Sequence, residues 1–285
     1  MANERGILYL AGMTQDSIAF IGGGNMARSL IGGLVARGQS AATLRVAEPV
    51  PALRDALAAD FGVATRASAP EAADGAATWV LAVKPQVMRE VCGLLANLAQ
   101  AQRPLVVSIA AGITTAQIDR WLGGGQAVVR TMPNTPALLG AGATGLYANP
   151  AVAGDQRQAA ETLMQATGIT AWIPGEALMD AVTAVSGSGP AYVFLLAEAM
   201  QAAAEAQGLA PDTARRLVVQ TLLGASRMLD ESGDAAAVLR QRVTSPGGTT
   251  QAAIESFEAG GFRTLVDQAI AAATRRGREL AAGNP

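Results

Sequence analysis

The chain has 285 residues, half of them hydrophobic and only 15% charged, with a formal net charge of −2, no histidine and one cysteine. That balance supports a sizeable buried core and argues against disorder and against a surface that grips a nucleic-acid backbone. The absence of histidine excludes a Ser-His-Asp triad and nearly all histidine-ligated metals; a lone cysteine excludes thiolate zinc, so no metal site is expected. Aromatics are only 4% of the chain, and small side chains bury little area each, so subunit association is expected to supplement the core. Cys92 falls in a helical stretch (87–98) and reads as a buried apolar residue. With no intramolecular disulfide available, a reducing, cytoplasmic compartment is the default expectation. No run is long enough for a membrane span, and the first residues lack a convincing secretory signal. Residues 1–16 read as an N-terminal extension, of which 1–12 precede Met13 as a non-structural segment or a mis-set start.

From residue 17 to 174, short β-branched runs alternate with helical stretches, the sign of a parallel sheet wrapped by helices. Strands are expected at Ile18–Ile21, Leu44–Ala47, Trp79–Val83, Leu105–Ser108 and Val128–Thr131, with weaker ones at Thr144–Tyr147 and Thr170–Ile173. Helices are expected to start near Met26, Pro51, Ser68, Gln86 and Thr114. After Pro174-Gly175, a natural boundary signal, strand-like runs vanish and residues 175–285 read as all-α. The helices there are Ala177–Val185, Pro190–Gln207, Pro211–Ser232, Ala235–Val243, Gln251–Ala259 and Phe262–Ala281. Segment Thr213–Leu229 has apolar residues on more than one face and is expected to be buried all round, against a partner subunit.

The first strand runs into Gly22-Gly23-Gly24-Asn25-Met26-Ala27, a dinucleotide-type glycine turn. Gly22 permits the tight turn, Gly24 lets main chain approach a pyrophosphate, and Ala27 allows close helix–strand packing. Glu48 ends the second strand, 24 residues after Gly24, near the position where an acid can hold the adenosine ribose hydroxyls. The alternative is a solvated loop acid before Pro49. The functional reading makes Glu48 repel a 2′-phosphate and favour NADH; Arg45 and Arg54 nearby are able to reverse that preference.

Lys84 is the only lysine beside 20 arginines, and it stands in Val83-Lys84-Pro85 at the carboxyl end of a strand, the edge where open α/β sheets bind ligands. Either it serves cofactor binding or loop orientation, or one lysine simply falls there. The segments Ser108–Gly112 and Arg130–Pro136 follow the next strands at that edge and offer small residues, main-chain polar groups and Asn134 to a flat ring. A rigid connector is the competing account, preferred for the serine–glycine turn. Ser186–Tyr192 and Glu176 read first as helix-start architecture. Ser245-Pro246-Gly247-Gly248-Thr249-Thr250 opens a late helix with two glycines and adjacent hydroxyls, a turn suited to a small carboxylate. One half of the chain thus suits a nicotinamide cofactor and the other a small anionic substrate.

Together, Ile21–Ala27, Ala82–Pro85, Ala110–Gly112, Met132–Pro136, Asp180–Thr183, Ser186–Tyr192 and Ser245–Thr250 strongly resemble the pyrroline-5-carboxylate reductases, in family order from about residue 18 to 280. The first segment is generic to dinucleotide binders; the last two together are specific. The resemblance implies a Rossmann-type α/β N-terminal domain (17–174) and an all-α C-terminal dimerisation and substrate domain (175–285), a homodimer often assembled into a decamer. It implies NADPH- or NADH-dependent reduction of 1-pyrroline-5-carboxylate to L-proline. On matched positions it implies cofactor contacts from Gly23, Asn25, Met26, Glu48, Val83, Lys84 and Ala111, and substrate contacts from Glu176, Thr249 and Thr250. Several relatives carry serine within a phosphate-accepting loop at the position of Glu48 and an asparagine near Ala69; this chain has neither, departures that bear on the cofactor phosphate preference and not on the reaction.

Substrate chemistry then suggests the roles. A protonated cyclic imine accepts hydride without a further proton in that step. The Gly247–Thr249 amides would hold its carboxylate, Thr250 would hydrogen-bond the ring nitrogen, and Glu176 would help stabilise the cation. A β-hydroxy-acid dehydrogenase commonly needs a lysine on its helical domain, which this chain lacks. A non-catalytic dinucleotide sensor would leave Ser245–Thr250 unexplained. A reductase of a six-membered cyclic imine is the remaining rival, because sequence does not fix ring size.

Overall fold

The computed structural model describes residues 17–283; the segment read as an N-terminal extension lies outside them. The chain divides into two compact units, one running up to Gly187 and taken up again from Thr274, the other Ser188–Ala273.

The first unit is built on an eight-stranded sheet with order β3-β2-β1-β4-β5-β6-β7-β8. The strands are β1 Ile18–Ile21, β2 Leu44–Ala47, β3 Ala64–Arg66, β4 Thr78–Leu81, β5 Leu105–Ser108, β6 Ala127–Met132, β7 Gly142–Ala148 and β8 Gly168–Trp172. Side chains alternate between two buried faces, as the twofold strand period requires. Phe20, Val46, Val80, Val107 and Val129 enter one cluster; Ala19, Ile21, Trp79, Leu81, Val106 and Val128 enter the other. Helices α1 (Asn25–Ala36) and α2 (Pro51–Phe61) cover the first face, α3 (Ala69–Ala73), α4 (Pro85–Gln102) and α5 (Thr115–Trp121) the second, and α6 (Gly154–Gln165) returns to the first.

The buried residues of α1, Ala27, Leu30, Ile31 and Leu34, recur every three or four positions and form one stripe. The equivalent stripe on α4 is Met88, Cys92, Leu95 and Ala99. Burial pushes the Cys92 thiol up to about 12, so it stays protonated and unreactive. Ellman's reagent at mildly alkaline pH is expected to find no thiol in the folded protein and one after denaturation; rapid labelling of the native protein would contradict this packing.

All seven expected strands are found, β7 and β8 at the two weaker positions, and β3 and α6 are additional. The expectation of a parallel sheet needs correction at one end. β7 pairs antiparallel to β6, and β8 pairs parallel to β7, so both run against the rest. The reason is chain length. Only residues 133–141 join β6 to β7, folded as a 3₁₀ turn at Thr135–Leu139, and a parallel return needs a crossover of roughly a dozen residues or more. Beyond β8, Glu176–Leu178 forms a 3₁₀ turn, Met179–Val182 a single helical turn (α7), and Thr183–Gly187 a wide π-type turn.

The second unit contains α8 (Gly189–Ala206), α9 (Pro211–Glu231), α10 (Ala236–Arg242), α11 (Thr249–Ala259) and most of α12 (Phe262–Ala282). Pro190 and Pro211 sit in the first turns of α8 and α9, where a missing N–H costs nothing. The expectation that Thr213–Leu229 is buried all round does not hold in the single chain. Ala214 and Val218 are buried, but Leu217, Val219 and Leu223 remain 55%, 48% and 53% exposed. Only one stripe of α9 finds cover inside its own unit, because these helices form no second layer above it.

Candidate active site

The order reversal between β1 and β4 makes the carboxyl ends of those strands the switch point of the sheet, where open α/β folds leave a ligand crevice. The glycine turn follows β1, and Val83-Lys84-Pro85 follows β4, so the two loops flank that point. Gly22 has φ of +108°, and a Cβ there would lie 2.6 Å from the Ala82 carbonyl oxygen. A side chain at Gly23 would meet Leu57 Cδ1 at 2.6 Å, whereas nothing lies within 4 Å of the position a Cβ would take on Gly24. Gly24 is the N-cap of α1. The turn is therefore tight on its inner side and open on its outer side. That cradle fits a dinucleotide pyrophosphate seated at a helix N-terminus, with Asn25 and Met26 opening the helix.

Glu48, at the end of β2, is buried. Its Oε2 accepts the Gly23 N–H at 3.1 Å and its Oε1 the Val50 N–H at 3.0 Å. The solvated-acid alternative is thereby excluded: this carboxylate reaches into the glycine turn. Lys84 is the N-cap of α4 and exposed, with no hydrogen bond or ion pair from its ammonium among the described residues. Ala111 lies in the turn after β5, where the Ser108 hydroxyl accepts the Ala110 N–H at 3.3 Å.

Asn134, after β6, behaves as the connector account anticipates. Its Nδ2 donates to the Ser186 carbonyl at 3.0 Å and its Oδ1 accepts the Ala143 N–H at 2.9 Å. Both ends of the amide are spent on main chain, tying the π-type turn to the start of β7.

Glu176 lies in the same unit as these residues. Its Oε1 accepts the Thr115 N–H at 2.7 Å and its Oε2 the Thr115 hydroxyl at 2.8 Å. Arg130 Nη1 completes the cluster, 3.2 Å from Oε1. Glu176 therefore satisfies an orphan amide at the start of α5 and the charge of an arginine inside β6. Sequence reasoning missed this clasp. The available signal was Arg130 itself, a charge in the otherwise apolar run of β6, which when buried must find a partner.

In the second unit, Ser245–Thr250 forms the turn into α11, with Gly247 at φ of +70° and Gly248 as N-cap. Two amides assigned to a carboxylate are used internally. Gly247 N–H donates to Gln251 Oε1 at 2.7 Å, and Gly248 N–H to the Ser245 carbonyl at 3.0 Å. The amides of Thr249 and Thr250 open the helix, ahead of any acceptor four residues back. The hydroxyls of Ser245, Thr249 and Thr250 have no partner among the described residues. The donors offered to an anion are thus the threonine pair, one residue later than expected.

A doubly wound sheet with an open glycine cradle at its switch point, joined to a helical unit carrying a free cluster of donors, defines a dinucleotide-dependent oxidoreductase. A model described as pyrroline-5-carboxylate reductase dimerisation matches residues 176–280, and one described as NADP oxidoreductase, coenzyme F420-dependent, matches residues 17–112. The chain is 53% identical to a pyrroline-5-carboxylate reductase of Pseudomonas aeruginosa, over 94% of this chain and 98% of that one. The solved reductase of Coxiella burnetii superposes with a TM-score of 0.91 at 44% identity, covering 94% and 99% of the two chains. That of Plasmodium falciparum, solved with NADP bound, gives 0.83 at 28% identity, covering 95% and 100%. The chain belongs to the pyrroline-5-carboxylate reductase family.

Proposed function

We infer that this chain reduces 1-pyrroline-5-carboxylate to L-proline, the last step of proline biosynthesis, using NADPH or NADH. The observation that carries the reading is the 53% identity to a reductase of that name across both halves of the chain. Gly22–Met26, Glu48, Val83–Pro85 and Ala111 would hold the dinucleotide; the reduced nicotinamide, when bound, supplies the hydride. Thr249 and Thr250, with the help of Ser245 and the Gly247–Gly248 turn, would take the substrate carboxylate at the N-terminus of α11. The Thr250 hydroxyl would hydrogen-bond the ring nitrogen and orient the imine carbon. Asn134 and Glu176 would serve this chemistry by bracing the loops rather than by touching a ligand, since their polar atoms already have partners.

The dimerisation segment supports a homo-oligomer. We take its smallest form to be a homodimer, extendable to a decamer, with the uncovered apolar face of α9 as part of the contact. Among the described residues no helix is long and apolar enough to cross a membrane; a lone unpaired thiol agrees with a cytoplasmic setting. The test is to follow oxidation of the reduced cofactor with 1-pyrroline-5-carboxylate and, in parallel, with its six-membered analogue. Turnover is expected with the five-membered imine; none with either cofactor would remove the reading, and a preference for the larger ring would reassign the substrate.

A further inference from the structure

The residues around the second strand carry a statement about which dinucleotide the enzyme takes. Glu48 is buried, and each of its oxygens accepts one main-chain N–H, from Gly23 and from Val50. A carboxylate oxygen has a second lone pair, so both retain capacity for a hydroxyl donor. Its position at the end of β2, bonded to the glycine turn, is the one from which an acid meets the adenosine ribose. Two hydroxyls there would find acceptors. A phosphate would meet a fixed negative charge with little solvent to screen it.

The main chain of the loop offers the phosphate little in return. The loop reads Glu48-Pro49-Val50-Pro51; two of its members lack an N–H, and the Val50 amide is already held by Glu48. Of the cations bordering the loop, one is paired with a carboxylate and the others donate to main-chain carbonyls. Arg28 pairs with Asp60 and lies over the Phe61 ring at 5.2 Å. Arg45 donates to the Asp74 carbonyl at 2.5 Å and Arg66 to the Thr65 carbonyl at 2.9 Å. Arg54 donates to the carbonyls of Glu48 and Pro49, at 2.8 and 2.9 Å, and so pins the loop in the conformation that presents the acid. Lys84 follows β4, on the far side of β1 from this loop.

We propose that Glu48, seated in the glycine turn by Gly23 and Val50, is the specificity-determining residue that makes this enzyme prefer NADH to NADPH. The proposal rests on the dinucleotide-binding reading above.

The test measures equilibrium binding of NADH and NADPH by nicotinamide fluorescence, without substrate, on the wild type and on Glu48→Gln, Glu48→Ser and Arg54→Gln. The wild type is expected to bind NADH about tenfold or more tightly than NADPH, the scale of a hydrogen bond to a charged group. Glu48→Gln keeps an acceptor for the ribose but removes the charge, and should narrow the ratio mainly by improving NADPH. Glu48→Ser should weaken NADH and narrow the ratio further, while Arg54→Gln should leave NADPH no weaker relative to NADH. Equal or tighter binding of NADPH by the wild type would overturn the proposal, and needs no variant to fold. So would a ratio unmoved in Glu48→Gln, or selective loss of NADPH in Arg54→Gln. In each of those cases imine reduction in the separate turnover assay leaves the functional reading standing; binding of neither dinucleotide would remove both.

Discussion

Replacing Glu176 with alanine is expected to lower stability by about 3 kcal/mol, the lower end of what removing one member of a buried ion pair costs. The Arg130 side chain is only 5% exposed and that of Glu176 20%. Deleting the acid therefore strands a guanidinium in the interior of β6 and uncaps the Thr115 amide at the same stroke. The loss comes from the uncompensated charge more than from the bond itself. A double-mutant cycle separates the two: Arg130→Met combined with Glu176→Gln should recover a large part of the stability that either change loses alone. Urea denaturation, with the midpoint and slope compared across the wild type, Glu176→Ala, the two single variants of the cycle and the double variant, provides the measurement. A loss below about 1 kcal/mol for Glu176→Ala would place the pair in the range of a surface contact. A raised KM for the imine with unchanged stability would instead return Glu176 to the substrate-contact role implied by resemblance.

Thr250→Ala is expected to lower kcat/KM for the imine by about 100-fold, the effect of removing one oriented donor from a reacting group, while the denaturation midpoint stays put. The hydroxyl has no partner among the described residues, and alanine is a good helix former near the N-terminus of α11. Nothing in the second unit depends on that oxygen. Thr250→Ser should restore most of the activity, since it keeps the donor and loses only a methyl group. Unchanged kinetics in Thr250→Ala would remove the hydroxyl from the mechanism. A fall in activity that tracks a fall in stability would make its role structural.

The first unit was largely legible along the chain because its signals are local. Strands such as Leu44–Ala47 and Leu105–Ser108 are short apolar runs closed by Pro, Ser or Gly, and they occur where expected. β3 went unread because Ala64-Thr65-Arg66 contains one β-branched residue; its place comes from pairing with β2, Arg45 opposite Ala64. α6 opens with Gly154-Asp155-Gln156-Arg157-Gln158 and buries only Ala160, Leu163 and Met164, too short an apolar stripe to stand out. The glycine turn was legible because its demands are conformational: the tight turn at residue 22 takes a positive φ, which glycine adopts without a steric cost.

Side-chain partners were not legible in the same way. Nothing near Asn134 in sequence says that its amide will be spent on Ala143 and Ser186, nor near Glu176 that Thr115 and Arg130 await it. The same holds for Gln251, which caps the Gly247 amide from one turn inside α11. These pairings depend on where separate segments come to rest.

What the sequence determined by itself, then, is the periodicity of its elements, the backbone freedom of its glycine turns and the inventory of chemical groups. Those properties belong to neighbouring residues and survive any arrangement of the chain. The tertiary structure alone decided the place of β3 beside β2, the seating of Glu48 in the glycine turn and the clasp of Glu176 with Arg130. Each is a bond or pairing between residues distant along the chain, whose energy exists only once packing has brought the partners within reach and shut out water.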